Sequence, residues 1–178
     1  MTRYAMAVDT VRCVGCSACV LACAEENNLP PDAYRCWITT ETKGKFPALT
    51  QEIRSERCNH CTDAPCVTAC PTGASQVTIG GIVVVDHEMC TGCKACMGAC
   101  PYDSRYVHPD GYVDKCTFCV HRVERGLDPA CVSNCPTKAL IFGDLDDPRS
   151  EVSKLTISRK SKVNKPETGA DPNVVFLT

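Results

Sequence analysis

Cysteine is the residue through which this chain could do chemistry, and its spacing says which chemistry. The stretch CTGCKACMGACP, Cys90 to Pro101, holds Cys90, Cys93, Cys96 and Cys100. Three other groups share its frame of CxxC, a spacer, then CxxxC. They are CVGCSACVLAC (Cys13, Cys16, Cys19, Cys23), CNHCTDAPCVTACP (Cys58, Cys61, Cys66, Cys70) and CTFCVHRVERGLDPACVSNCP (Cys116, Cys119, Cys131, Cys135). The spacers in chain order are two, four, two and eleven residues. Proline follows the last cysteine at Pro71, Pro101 and Pro136, and Ala24 stands there in the first run. Of the 17 cysteines only Cys36 lies outside the runs.

Three chemistries compete for this pattern. Structural disulfides call for a secretory context, and CxxC neighbours are too close to pair with each other in ordinary bridges. Zinc takes four thiolates from two separated CxxC pairs, and CxxCxxCxxxCP is not such a spacing. The same run is the bacterial ferredoxin signature for 4Fe-4S clusters, in which the fourth cysteine ligates the neighbouring cluster. A CxxCxxC loop can wrap one cluster with three thiolates, whereas a residue four positions on, past a short helix, points elsewhere. Two runs therefore make one unit, and four runs make two.

The elements that position the runs can be read from the intervening segments. QVTIGGIVVVD reads as a hairpin with its turn at Gly80-Gly81, which ties the second run to the third and leaves the first to pair with the fourth. Further strand pairs are expected in CWITTETKGKFPALTQEIR, turning near Lys43 to Pro47, and in RYVHPDGYVDK, turning at Pro109 to Gly111. A helix is expected over Ser17 to Asn27. The fold class is α+β: two loop-rich ferredoxin-like 2x4Fe-4S units with β-hairpin insertions. The first unit spans 1–57 plus 102–147, the second 58–101, and 148–178 forms a C-terminal arm.

Composition agrees with a metal protein. The chain has 178 residues, four Phe and one Trp, and without its 17 cysteines the 44% hydrophobic share falls to roughly a third. So few large apolar groups leave little to offset conformational entropy, and bound metal supplies folding energy in such cases. The formal net charge of -2 points to neither nucleic acid nor an acidic membrane surface as partner. No apolar run is long enough to span a membrane, and MTRYAMAVDTVRC has the features of neither a signal peptide nor a twin-arginine leader.

In order and spacing the four runs resemble the four-cluster iron-sulfur subunits of the dimethyl sulfoxide reductase superfamily. MTRYAMAVD, CVGCSACVLACAEEN, CTDAPCVTACPTGAS, ACPYDSRYVHPDGYVDKCTFC and PACVSNCPTKALIFGDL are most similar to the polysulfide and thiosulfate reductase type. The resemblance implies one cluster on Cys13, Cys16, Cys19 and Cys135, and a second on Cys116, Cys119, Cys131 and Cys23. It implies a third on Cys58, Cys61, Cys66 and Cys100, and a fourth on Cys90, Cys93, Cys96 and Cys70. It also implies four 4Fe-4S clusters with no molybdenum cofactor in this chain, and no catalysis by the chain itself. Its partners would be a molybdopterin catalytic subunit carrying molybdenum or tungsten and, commonly, an integral membrane subunit that exchanges electrons with quinol. Relatives without a signal are commonly exported with their catalytic subunit, which leads to the periplasmic face of a bacterial inner membrane, with the cytoplasmic face as the alternative. Two rival functions stay open: a cytoplasmic electron-transfer subunit of a hydrogenase or formate dehydrogenase, and a free polyferredoxin.

Local charge should tune the potentials. Arg12, Arg57 and Lys115 each precede the first cysteine of a run and Lys94 lies inside the third, so each is a candidate for raising a potential; ordinary solvated loop charges are the plainer reading. His60, inside the second loop, is expected in a loop or supporting role because four thiolates already fill a site. Cys36 is expected to be a small buried hydrophobe. In the tail, Asp147 before Pro148 suggests a helix start, Arg159 to Lys165 is basic, and Val174 to Leu177 is expected to lie as an arm on a partner subunit.

Overall fold

The computed structural model describes residues 2–178. β1 (Tyr4–Asp9) is the most deeply buried segment, with Ala5, Met6, Ala7 and Val8 all fully enclosed. Alternation along the strand explains how both faces are covered. Met6 and Val8 face a cluster with Phe118, Ile82 and Phe176, and Ala5 and Ala7 face another with Val152 and Leu177. β1 pairs antiparallel with β8 (Leu140–Asp144) on one edge. On the other edge it pairs parallel with β10 (Val174–Leu177), which pairs in turn with β9 (Ser161–Lys162). The sheet order is β8-β1-β10-β9.

This sheet overturns the expectation for the C-terminus. Val174 to Leu177 do not form an arm on a partner; they are a buried inner strand of the chain's own sheet. An apolar stretch of this length carries no mark of whose core it enters, and here the unpaired edge of β1 accepts it. The residues before it also bind inward. Arg159 pairs with Asp9, Lys162 with Glu52 at 2.6 Å, and Asn164 Nδ2 donates to Glu56 at 2.7 Å. Thr62 N donates to Asp171 O and Asn173 N to Asn59 O, so the tail laces the second cysteine run to the sheet. The tail helix begins later than expected, at Glu151, and runs to Ser158. Ser150 is its N-cap, accepting from Ser153 N at 3.2 Å, while Asp147 instead closes a turn on Arg149 N.

The local expectations are met more closely. The first helix, α1 (Ala18–Glu26), is flanked by Ser17 and Asn27. β2 (Cys36–Lys45) and β3 (Ala48–Arg57) form the long hairpin, joined at Phe46-Pro47. β4 (Ser75–Val77) and β5 (Val83–Val85) pair across a turn containing Gly80 and Gly81, and β6 (Tyr106–Val107) pairs with β7 (Val113–Asp114). The remaining helices are single turns: α2 (Pro65–Thr68), α3 (Ala95–Gly98), α4 (Val120–Val123) and α5 (Ala130–Ser133), with α6 the helix of Glu151–Ser158. Among the described residues no helix is long and apolar enough to cross a membrane.

Candidate metal centres

Each CxxC loop bends at the same place. The residue before the second cysteine has positive φ in all four runs: Gly15 (68°), His60 (43°), Gly92 (67°) and Phe118 (49°). Glycine adopts this conformation freely, whereas His60 and Phe118 are held in it by packing. At Gly92 a Cβ would also collide with the carbonyl of Gly111. After the bend a helix carries the third cysteine: Cys19 in α1, Cys66 in α2, Cys96 in α3 and Cys131 in α5. Backbone N–H groups then face sulfur. Ala139 N donates to Cys135 Sγ (3.2 Å), Ser75 N to Cys70 (3.4 Å), Val113 N to Cys90 (3.4 Å) and Phe118 N to Cys116 (3.5 Å).

The structure brings sulfurs from different runs together. One cavity is lined by Cys90, Cys93 and Cys96 of the third run and by Cys70 of the second. Burial pushes the Cys13 thiol up and the sulfurs of Cys19, Cys135 and Cys16 add to it, which puts Cys135 beside the first loop. Burial likewise pushes Cys61 up to about 12, with Cys58, Cys66 and Cys100 contributing. The Asn27 amide reaches both Cys23 Sγ (3.7 Å) and Cys119 Sγ (4.0 Å). Exposure is graded across these groups. Cys116, Cys119, Cys131 and Cys23 are all buried, whereas Cys16 and Cys93 are exposed.

Charge is concentrated where burial is greatest. Arg57 is 1% exposed and donates from Nη1 to Cys131 Sγ at 3.1 Å. Lys115 is fully buried and donates to the carbonyls of Val83 and Cys116. The other two cations singled out by position lie at the surface: Arg12 pairs with Asp9 at 3.4 Å, and Lys94 is exposed at the rim of the cavity around Cys93. Arg105, which sequence adjacency does not mark, is buried against Ser75 (2.8 Å). It reaches the sulfurs because the 102–105 turn folds back after the third run, a non-local event with no residue signal of its own.

His60 is fully buried and stacks on Phe118 with ring centroids 3.7 Å apart. Its Nδ1 accepts from Val83 N at 3.1 Å, so the ring proton sits on Nε2. Burial, then the fields of Lys115, Arg105 and Arg57, hold its pKa well below the usual imidazole value, and the ring is neutral. Cys36 is buried beside Cys19 and Cys23. A hydrogen bond with Cys19 opposes the shift, yet interaction with Cys23 and burial push this thiol up to about 12.

Iron-sulfur clusters fit these residues on three observations. Arg57, Arg105 and Lys115 are buried cations whose contacts are sulfur, hydroxyl or carbonyl rather than carboxylate, and a thiolate-bound cluster supplies the missing negative charge. Among the described residues, buried Arg57 Nε and Arg105 Nη1 have no hydrogen-bond partner, which leaves donors for cluster sulfur. Burial also pushes Cys116 up to about 12, so coordination is needed to keep such a sulfur as thiolate near neutral pH.

Fold and sites together define a ferredoxin-like iron-sulfur protein. Two family models, each described as a 4Fe-4S dicluster domain, match overlapping stretches, residues 12–74 and 49–145. A tetrathionate reductase subunit of Salmonella typhimurium is 43% identical, the match covering 98% of this sequence and 72% of that protein. A polysulfide reductase chain of Wolinella succinogenes is 42% identical, covering 98% of this sequence and 94% of that protein. The arsenate respiratory reductase iron-sulfur subunit of a Shewanella species is 36% identical over 98% and 96%. The protein belongs to the 4Fe-4S dicluster family, among the iron-sulfur subunits of reductase complexes.

Proposed function

We propose that the chain is an electron-transfer subunit holding four 4Fe-4S clusters on the crosswise ligand sets, with the last cysteine of each run serving its partner run. The carrying observation is the cavity lined by Cys90, Cys93, Cys96 and Cys70, which leaves Cys100 for the group of Cys58, Cys61 and Cys66. When bound, the clusters supply one-electron redox steps. The residues of this chain hold them, exclude water from the inner sets and leave the outer sets near the surface at Cys16 and Cys93. Such a chain conducts between two partners, and the names of its relatives point to the kind of complex. We place it between a molybdenum or tungsten bis-pterin catalytic subunit and a quinol-linked membrane subunit, on the periplasmic face.

Two measurements test this reading. Cys100→Ala should chiefly damage the cluster of Cys58, Cys61 and Cys66 in EPR spectra; damage confined to the cluster of Cys90 overturns the crosswise assignment. Purification from the native membrane should bring a large molybdenum- or tungsten-containing chain with this one. Arrival alone would indicate a free carrier, and a partner with hydrogenase metal content would indicate the other complex type.

A further inference from the structure

Two buried arginines, far apart in sequence, each donate to a buried serine hydroxyl beside cysteine sulfurs. Arg57 and Ser55 stand two residues apart on β3, on one face of the strand. Arg57 Nη2 donates to Ser55 Oγ while its Nη1 donates to Cys131 Sγ. Because Ser55 Oγ accepts from the guanidinium, its single hydrogen is free for Cys19 Sγ, 3.3 Å away. Arg57 precedes Cys58 in the chain, yet the sulfurs it serves belong to the fourth and first runs. Arg105 Nη2 donates to Ser75 Oγ, and Ser75 N donates to Cys70 Sγ. The Arg105 charge also acts on Cys66, Cys96 and Cys58. Ser55, Ser75 and both arginines are buried.

We infer that each pair of runs carries one buried guanidinium-serine bridge, Arg57–Ser55 in one and Arg105–Ser75 in the other, whose cation lies among thiolates of both its clusters and shifts their potentials together. The inference rests on the four-cluster crosswise reading, in which Cys131 and Cys19, like Cys66 and Cys70, hold different clusters. Two reducible anionic groups held close repel: an electron on one disfavours an electron on the other. A fixed cation between them stabilises both reduced forms, and burial keeps its field from being screened. The guanidinium suits the place because its donors fork toward several acceptors at once and it stays charged at any working pH.

Redox titration of the purified complex, followed by EPR alongside iron and sulfide analysis, tests the bridge. Arg105→Gln should lower the midpoints of the two clusters held by the second and third runs and leave those of the first and fourth unmoved. Arg105→Lys should restore most of the shift. Ser55→Ala, which keeps every charge and is the safer variant to fold, should lower the midpoint of the Cys19 cluster and spare that of Cys131. With full iron content, unmoved potentials in Arg105→Gln and Ser55→Ala overturn the inference, as does a shift in only one cluster of the pair in Arg105→Gln. Wild-type iron and sulfide short of four cubanes overturns the cluster reading, and the bridge with it.

Discussion

The region of the first and fourth runs and the region of the second and third use the same ligand frame but are built differently. Around Cys19, Cys131 and Cys135 the loops rest on the four-stranded sheet, whose strands β1 and β10 bury Met6, Val8, Val174 and Phe176 in one cluster with those cysteines. Around Cys66 and Cys96 the corresponding cluster is small, with Val83, Val113, Ala64 and Ala170 among its other buried members. There Cys70, Cys90 and Cys100 are only half-buried and Cys93 is exposed. The difference teaches that one region rests on a large apolar core to which the other contributes only Cys58 and Ile82 among the buried members, so the second region should lean more on metal and on the tail segment laced over it.

Metal removal should break the comparison most visibly. After iron is chelated from the reduced protein, amide exchange over residues 58–101 should become fast while β1, β8 and β10 remain protected. Equal loss of protection in both regions would mean that the sheet, too, needs the clusters.

Phe176→Ala attacks the better-built region. This ring is fully buried, and its removal should cost about 3–5 kcal/mol in denaturant unfolding. Amide exchange should report the loss in the sheet first; a loss felt first at residues 58–101 would reverse the comparison.

A smaller effect is expected at the joint between β1 and the tail. Asp9 is buried, and burial by itself would raise its carboxyl; the Arg159 guanidinium and the N–H groups of Arg12 and Val11 outweigh this and hold it below 3.8. A depressed carboxylate stabilises the fold above its unfolded value and loses that contribution as pH falls through the folded value. Asp9→Asn should therefore cost about 1–3 kcal/mol near neutral pH. Melting curves of wild type and variant should converge in acid; a gap that persists would assign the loss to packing.

The smallest effects are in potentials. Lys115→Gln should lower the potential of the cluster at Cys116, because Lys115 is fully buried there. Arg12→Gln should move none, because Arg12 is exposed and paired with Asp9. EPR-monitored titration separates the two, and a shift in Arg12→Gln of similar size would show that exposed charges act as strongly as buried ones.

Much of the local structure is legible in the residues. The turn at Gly80-Gly81 between β-branched runs, the helix after Cys16 and the turn of the long hairpin at Phe46-Pro47 follow from short-range rules. The cysteine frame likewise marks sixteen sulfurs for metal and sets Cys36 apart. The residues that shape the environment of those sulfurs are less visible. Arg57 is adjacent in sequence to Cys58 but serves Cys131, and Arg105, Ser55 and Ser75 carry no motif at all. YAMAVD and LIFGD show no turn signal that joins them, because their pairing partners lie more than a hundred residues away.

By itself the sequence determines the chemistry: ligand type, ligand spacing and the hairpins between runs, all of which depend on neighbours in the chain. Only the tertiary structure decides which sulfurs face each other, which cations are stripped of water beside them, and that Val174 to Leu177 enter this chain's own sheet. Those outcomes depend on contacts between distant segments. An apolar strand or a lone arginine reads the same whether its partner is near, far or on another molecule.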